Sequence, residues 1–140
     1  MKVLKQFESK SIRDSEKFAR DLAQIFVEND VVLLEGNLGT GKTFLVKAIC
    51  KEWGVLDEPS SPSFAILYQY RGKKPVNHFD LYRIEHIHEL DNLGWEEHLS
   101  RGAVTFIEWP ALIEKQLSKY YKVELTFVNE HRLFILKQAV

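Results

Sequence analysis

Leu33-Leu34-Glu35-Gly36-Asn37-Leu38-Gly39-Thr40-Gly41-Lys42-Thr43 decides how this chain is read, because an apolar run ends in Gly-x-x-x-x-Gly-Lys-Thr and a helical pattern follows at once. The pattern is that of a P-loop. Phosphates concentrate negative charge, and a chain cradles them only where its N–H groups converge; glycines at 36, 39 and 41 leave room for that approach. Lys42 is placed to reach the β- and γ-phosphates. The Thr43 hydroxyl is placed to ligate Mg²⁺, and the positive end of the following helix adds to the field on the phosphates. The expected nucleotide-binding residues are Gly36, Asn37, Leu38, Gly39, Thr40, Gly41, Lys42, Thr43 and Phe44, with ATP or ADP and Mg²⁺ as ligands. An ordinary glycine-rich turn is the bland reading, and the strand–loop–helix context argues against it.

Outward from this motif, 140 residues with 45% hydrophobic and 12% aromatic content suffice for one core, so a single domain over 1–140 is expected. The net charge of −1, from 19 basic and 20 acidic residues, gives no overall field drawing the chain to nucleic acid or anionic membrane. The first residues, Met1 to Phe7, are too often charged for a signal peptide, and no segment approaches the ~20 apolar residues of a membrane span. A cytoplasmic protein is expected. The one cysteine, Cys50, suits a reducing compartment and lies among apolar neighbours, which reads as core packing.

Before the motif, Val3 to Phe7 reads as a strand, and Ser11 with Asp14 marks the start of a helix expected to run to about Glu28. Phe18, Ala19, Leu22, Ile25 and Phe26 give that helix an apolar face. Val31 to Glu35 has the continuous apolar character of a central strand covered on both sides. After the motif, Leu45, Ile49 and Trp53 form a helical stripe closed by Gly54. Asp57 to Ser63 is a loop by its two prolines. Alternation over Phe64 to Arg71, the turn Gly72-Lys73-Lys74-Pro75 and Val76 to Asp80 read as a hairpin. Ile84 to Leu99 reads as short surface helices split near Gly94, and Ala103 to Ile107 as a buried strand. A second hairpin spans Val123 to Phe127 and Leu133 to Leu136, with its turn at Asn129-Glu130-His131. The two hairpins lie outside the P-loop strand, so the expected fold is a three-layer α/β P-loop domain whose sheet is parallel at its centre and antiparallel at its edges.

Hydrolysis or transfer also needs acids at the ends of strands beside the P-loop, to hold Mg²⁺ or orient water. Asp80 and Glu108 each end an apolar strand and fit that need. Asp80 reads as the outer partner of Mg²⁺ and Glu108 as the residue nearest metal and water, with the reverse assignment open. Ser60, Ser61 and Ser63 stand where P-loop switch proteins carry a hydroxyl-bearing loop that senses the γ-phosphate, although serine and proline also make ordinary turns. Arg83 follows Asp80 closely and is either a phosphate-neutralising guanidinium or a surface residue. His86 and His88, with no cysteine nearby, read as solvated helix residues.

Taken together, Gly-Asn-Leu-Gly-Thr-Gly-Lys-Thr (36–43), Ser-Ser-Pro-Ser-Phe (60–64), His-Phe-Asp-Leu-Tyr-Arg (78–83) and Ile-Glu-Trp-Pro (107–110) resemble the bacterial TsaE family, also called YjeE. The elements after the P-loop make the resemblance specific, and Ser63, where the family usually has threonine, keeps the hydroxyl. The resemblance implies a small ATPase required for the threonylcarbamoyl modification of adenosine beside the anticodon in transfer RNAs that read codons beginning with A. It implies TsaD and TsaB as partner proteins, TsaD performing the transfer while ATP hydrolysis here keeps the assembly turning over, with tRNA held through the complex. It also implies that Lys42 binds phosphate, Thr43 and Glu108 hold Mg²⁺, Asp80 supports metal or water, Ser60 to Ser63 switches, and Trp109 and Arg83 lie at the site or a partner interface.

Two other functions share the P-loop. A small-molecule kinase needs an arginine-bearing lid, for which Ile84 to Arg101, carrying Arg101, is the candidate. A GTPase-type interaction switch needs a guanine-reading Asn-Lys-x-Asp, which the sequence does not contain, so ATP is the expected nucleotide.

Overall fold

A computed structural model describes residues 1–37, 39–55 and 66–140. Its strands are β1 (Lys2–Ser9), β2 (Val31–Glu35), β3 (Leu67–Tyr70), β4 (Val76–Asp80), β5 (Val104–Glu108), β6 (Tyr120–Val128) and β7 (His131–Ala139). Its helices are α1 (Ile12–Ile25), α2 (Lys42–Glu52) and the single turns α3 (His88–Asp91) and α4 (Trp95–His98). The strands form one seven-stranded sheet in the order β1-β7-β6-β2-β5-β4-β3. The strand leading into the P-loop pairs in parallel with β5 on one side and β6 on the other, and β4 continues the parallel block. Both edges are antiparallel, β3 on β4 and the β1–β7–β6 ribbon. This is the mixed α/β sheet that the sequence leads one to expect.

Alternation along β2 splits the interior into two clusters, as a strand covered on both faces requires. Val32 and Leu34 join the core under α1 and α2, with Phe18, Leu22, Leu45 and Ile49. Val31 and Leu33 join the opposite core, where Leu90, Trp95 and Ile113 anchor the α3–α4 segment and the following turns. The result is three layers. Cys50 lies wholly within the first core, and burial pushes its thiol up to about 12.

Local chemistry accounts for the boundaries. Ser11 caps α1, its hydroxyl accepting from the Asp14 N–H, while the Asp14 carboxylate accepts from the Lys10 N–H. The helix stops at Ile25, short of the expected Glu28, because Phe26 turns extended at φ −77° and ψ 135°. That turn sends its ring into the core against Phe106 and Tyr121, and the Val27 N–H passes to the Asp30 carboxylate. Burial of one aromatic ring thus outweighs another helical turn. Trp53 closes α2 and ties it to α1 through its indole N–H on the Ala23 carbonyl, 2.9 Å away. The β6–β7 turn is made by Asn129 and Glu130, at φ 50° and 69°, a pairing whose twist suits a tight hairpin. Among the described residues, no helix is long and apolar enough to cross a membrane.

Phe106 is fully buried, edge-on to Phe26 and stacked on Trp53. Phe106→Ala is expected to lower unfolding free energy by about 3–5 kcal/mol through lost burial and the cavity left behind, measured by urea denaturation.

Candidate nucleotide-binding site

The parallel register brings the chemistry to one edge of the sheet. Leu34 stands opposite Glu108, and Asp80 opposite Glu108 in turn, so both acids lie level with the end of the P-loop strand. Between them and the start of α2 is a cavity of about 280 Å³, lined by Gly39, Gly41, Lys42, Thr43, Phe44, Asp80, Tyr82, Glu108 and Trp109. Eight of those nine residues are site residues read from the sequence or implied by the resemblance; Tyr82 was not singled out.

Two glycines shape the loop. A Cβ on Gly36 would come within 2.7 Å of both the Leu125 carbonyl oxygen and the Thr40 hydroxyl, so only glycine lets the loop leave β2 packed against β6. Gly41, at φ +100°, holds the left-handed turn from which α2 starts. Within the loop, the Thr40 hydroxyl donates to the Asn37 carbonyl at 2.7 Å and braces the curve. The Lys42 ammonium donates to the Gly36 carbonyl and lies 3.6 Å from the centre of the Trp109 ring. A cation over an indole face is attracted by the ring's negative centre. Burial holds the Lys42 pKa below the ordinary lysine value, and the nearby Glu108 and Asp80 charges oppose that shift.

The two acids sit in different surroundings. Glu108 is 3% exposed, and its Oε2 meets the His78 Nε2 at 2.5 Å. His78 is itself wholly buried, and its Nδ1 meets the Tyr70 hydroxyl at 3.0 Å. The Glu108 carboxylate is therefore held at one oxygen by a buried imidazole, whose other nitrogen is engaged in turn. Asp80 is less enclosed, and its Oδ1 accepts from the Tyr82 N–H at 3.0 Å. Burial raises the Asp80 pKa above the usual aspartate value, the Tyr82 N–H opposes that shift, and the Glu108 charge adds to it. Hydroxyl and carboxylate oxygens are the donors gathered here, a set that suits Mg²⁺.

Comparison with known proteins gives the family of the chain. A family model described as threonylcarbamoyl adenosine biosynthesis protein TsaE matches residues 9–134. The chain belongs to the TsaE family. It is 38% identical over 132 residues to the tRNA threonylcarbamoyladenosine biosynthesis protein TsaE of Rickettsia typhi, covering 91% of each chain. It is 36% identical to the protein of the same name from Bacillus subtilis, over 81% of this chain and 73% of that one. The crystal structure of Bacillus subtilis YdiB superposes with a TM-score of 0.76 at 24% identity, covering 100% of this chain and 88% of that one, and bears on the fold alone.

In this TsaE family member, Trp109 lies at the cavity, its backbone left-handed at φ 58° and its ring 4.9 Å from that of Tyr82. Arg83 is at the surface and outside the cavity lining, while its neighbour Tyr82 is within it. Gly36 and Asn37 line the other side of the loop, facing β6. Leu38, Ser60, Ser61 and Ser63 lie outside the described residues. His78 and Tyr70 were missed as site residues, although a histidine amid Val76-Asn77-His78-Phe79, a run that reads as a buried strand, is itself a signal that the imidazole has a polar partner. The segment considered as a kinase lid is anchored instead: Leu90 and Trp95 are buried, and Arg101 pairs with Glu97 at 3.3 Å.

The raised pKa of Asp80 makes its ionised form less favourable in the fold than in the unfolded chain. The stability of the protonated form is fully present below the unfolded-state pKa and is lost as pH rises through the higher folded-state value. Asp80→Asn, which keeps the acceptor for Tyr82, is expected to raise the melting temperature of the nucleotide-free protein at pH 7. The gain should vanish in acid, below the ordinary aspartate pKa, as followed by thermal denaturation across a pH series.

Proposed function

We propose that this chain is a Mg²⁺-dependent ATPase that binds and hydrolyses ATP in support of the threonylcarbamoyl modification of adenosine beside the anticodon, acting in the cytoplasm with TsaD and TsaB. The observation that carries the reading is the P-loop standing level with Asp80 and Glu108 around one cavity. Membership of the TsaE family, and relatives named for tRNA threonylcarbamoyladenosine biosynthesis, support the biological role.

The chain's own groups divide the work. Lys42 exchanges the Gly36 carbonyl and the Trp109 ring for phosphate oxygens, so its charge is already held where the β- and γ-phosphates arrive. The N–H groups at the start of α2 cradle the same phosphates. Thr43 and Glu108 would hold Mg²⁺, with Asp80 behind them, and the ion would supply charge to the phosphoryl oxygens. His78 fixes one oxygen of Glu108, leaving the other for metal or water. Arg83 is left at the surface, where a partner can engage it. The net charge of −1 agrees with tRNA being gripped by the partners.

Lys42→Ala is expected to abolish ATP turnover with little change in melting temperature. Glu108→Gln and Asp80→Asn should each slow hydrolysis by at least about 10²-fold, the scale seen when a preorganised electrostatic group is removed.

Hydrolysis by the chain alone is expected to be slow and to be accelerated by the TsaD–TsaB pair, within the roughly 10³–10⁵-fold ceiling of an arginine supplied in trans. Single-turnover hydrolysis with and without the pair measures this, and equal rates exclude it. Depletion of the protein should remove threonylcarbamoyladenosine from bulk tRNA.

A further inference from the structure

A row of three buried polar side chains, Tyr70, His78 and Glu108, crosses the sheet from its β3 edge to the cavity. The strand registers lay it out. Tyr70 stands opposite Val76 across the β3–β4 pair, two positions before His78, and His78 stands opposite Phe106 across the β4–β5 pair, two positions before Glu108. Residues two apart share one face of a strand, so each member of the row reaches diagonally to the next. Tyr70, Val76 and Phe106 belong to the core under α1 and α2, and the row runs along that apolar face.

In such a setting the hydrogen bonds have one consistent direction. An ionised carboxylate only accepts, so at the 2.5 Å contact His78 Nε2 carries the proton and donates to Glu108 Oε2. A neutral imidazole protonated there keeps a lone pair on Nδ1, and a buried lone pair needs a donor. The Tyr70 hydroxyl stands 3.0 Å from Nδ1 and supplies it. One bond at each ring nitrogen fixes the rotation of the imidazole, and the Tyr70 ring, 5.9 Å from it and inclined at 57°, confines it further.

Resting on the nucleotide reading above, we propose that Tyr70 is a positioning residue for ATP hydrolysis: its hydroxyl holds His78 at the angle at which Nε2–H takes up one oxygen of Glu108 and leaves the other toward Mg²⁺ or water. Tyr70 is absent from the cavity lining among the described residues, so it acts on the site through His78. The edge strand β3 thereby contributes to the chemistry as well as closing the sheet.

Three measurements on the full chain test this. In ¹⁵N NMR of the nucleotide-free protein, His78 is expected to carry its proton on Nε2 and none on Nδ1; a protonated Nδ1 overturns the proposal. Tyr70→Phe, which removes the hydroxyl and keeps the ring, is expected to slow single-turnover ATP hydrolysis with TsaD and TsaB by about tenfold, the lower end for loss of a group that orients a metal ligand. Its ADP affinity without Mg²⁺, by titration calorimetry, should stay within about twofold. Undiminished hydrolysis overturns the proposal, as does an equal loss of Mg²⁺-free ADP affinity, which makes the hydroxyl a general structural support. In a His78→Gln background, where no Nδ1 remains to be held, Tyr70→Phe should add less than about twofold; the full tenfold loss there also overturns it. Wild-type protein that binds no ADP overturns the nucleotide reading instead, and the NMR experiment, which needs neither nucleotide nor a variant that folds, then decides the hydrogen-bond row separately.

Discussion

Parallel pairing of β2 with β5, and of β5 with β4, is the constraint on which the site depends. In a parallel block every strand points the same way, so the carboxyl ends of all three arrive at one edge. The register then decides height: Leu34, Glu108 and Asp80 fall on one line across the sheet. A one-residue slip of β5 would turn Glu108 to the other face and bring Trp109 or Ile107 in its place. The two apolar clusters resist such a slip, because Thr105 and Ile107 face one layer and Val104 and Phe106 the other, each already filled. Packing far from the cavity therefore fixes the position of the acids within it.

Charge in that partly buried cavity is balanced locally. The charges of Glu108 and Asp80 oppose the desolvation of Lys42, and the Lys42 charge opposes that of Asp80 while the Glu108 charge adds to it, with burial the larger effect on both Lys42 and Asp80. His78 lets Glu108 remain in a nearly dry position by supplying a hydrogen-bond partner from within the sheet, and Tyr70 engages the remaining ring nitrogen. Burying a polar group without such a partner costs free energy, which is why a histidine and a tyrosine occupy strand positions that sequence pattern alone would fill with aliphatic residues. A second buried cation is handled the same way: Lys122, 8% exposed, reaches Glu35 and Glu114 at 3.1 and 2.8 Å. Those contacts tie the end of the P-loop strand to the turn that follows Trp109. Arg132 departs from this rule, since its guanidinium lacks any such partner among the described residues.

The sequence by itself determined the P-loop, its helix, the places of the strands along the chain, and Asp80 and Glu108 as strand-end acids, because each rests on short-range rules. Glycine spacing, periods of 2 and 3.6, and turn residues act within a few positions of one another. The end of α1 was read too late, since the rule for helix continuation is local whereas the burial of Phe26 against Phe106 and Tyr121 is not. Only the tertiary structure decided that His78 of β4 meets Glu108 of β5, that the Trp109 ring lies over Lys42, that Tyr82 and not Arg83 lines the cavity, and that Arg132 approaches Gly41. Each of these is a contact between strands or loops distant in the chain, set by sheet order and register. Periodicity assigns a residue to a face, but the neighbour across that face is chosen by how the strands pair.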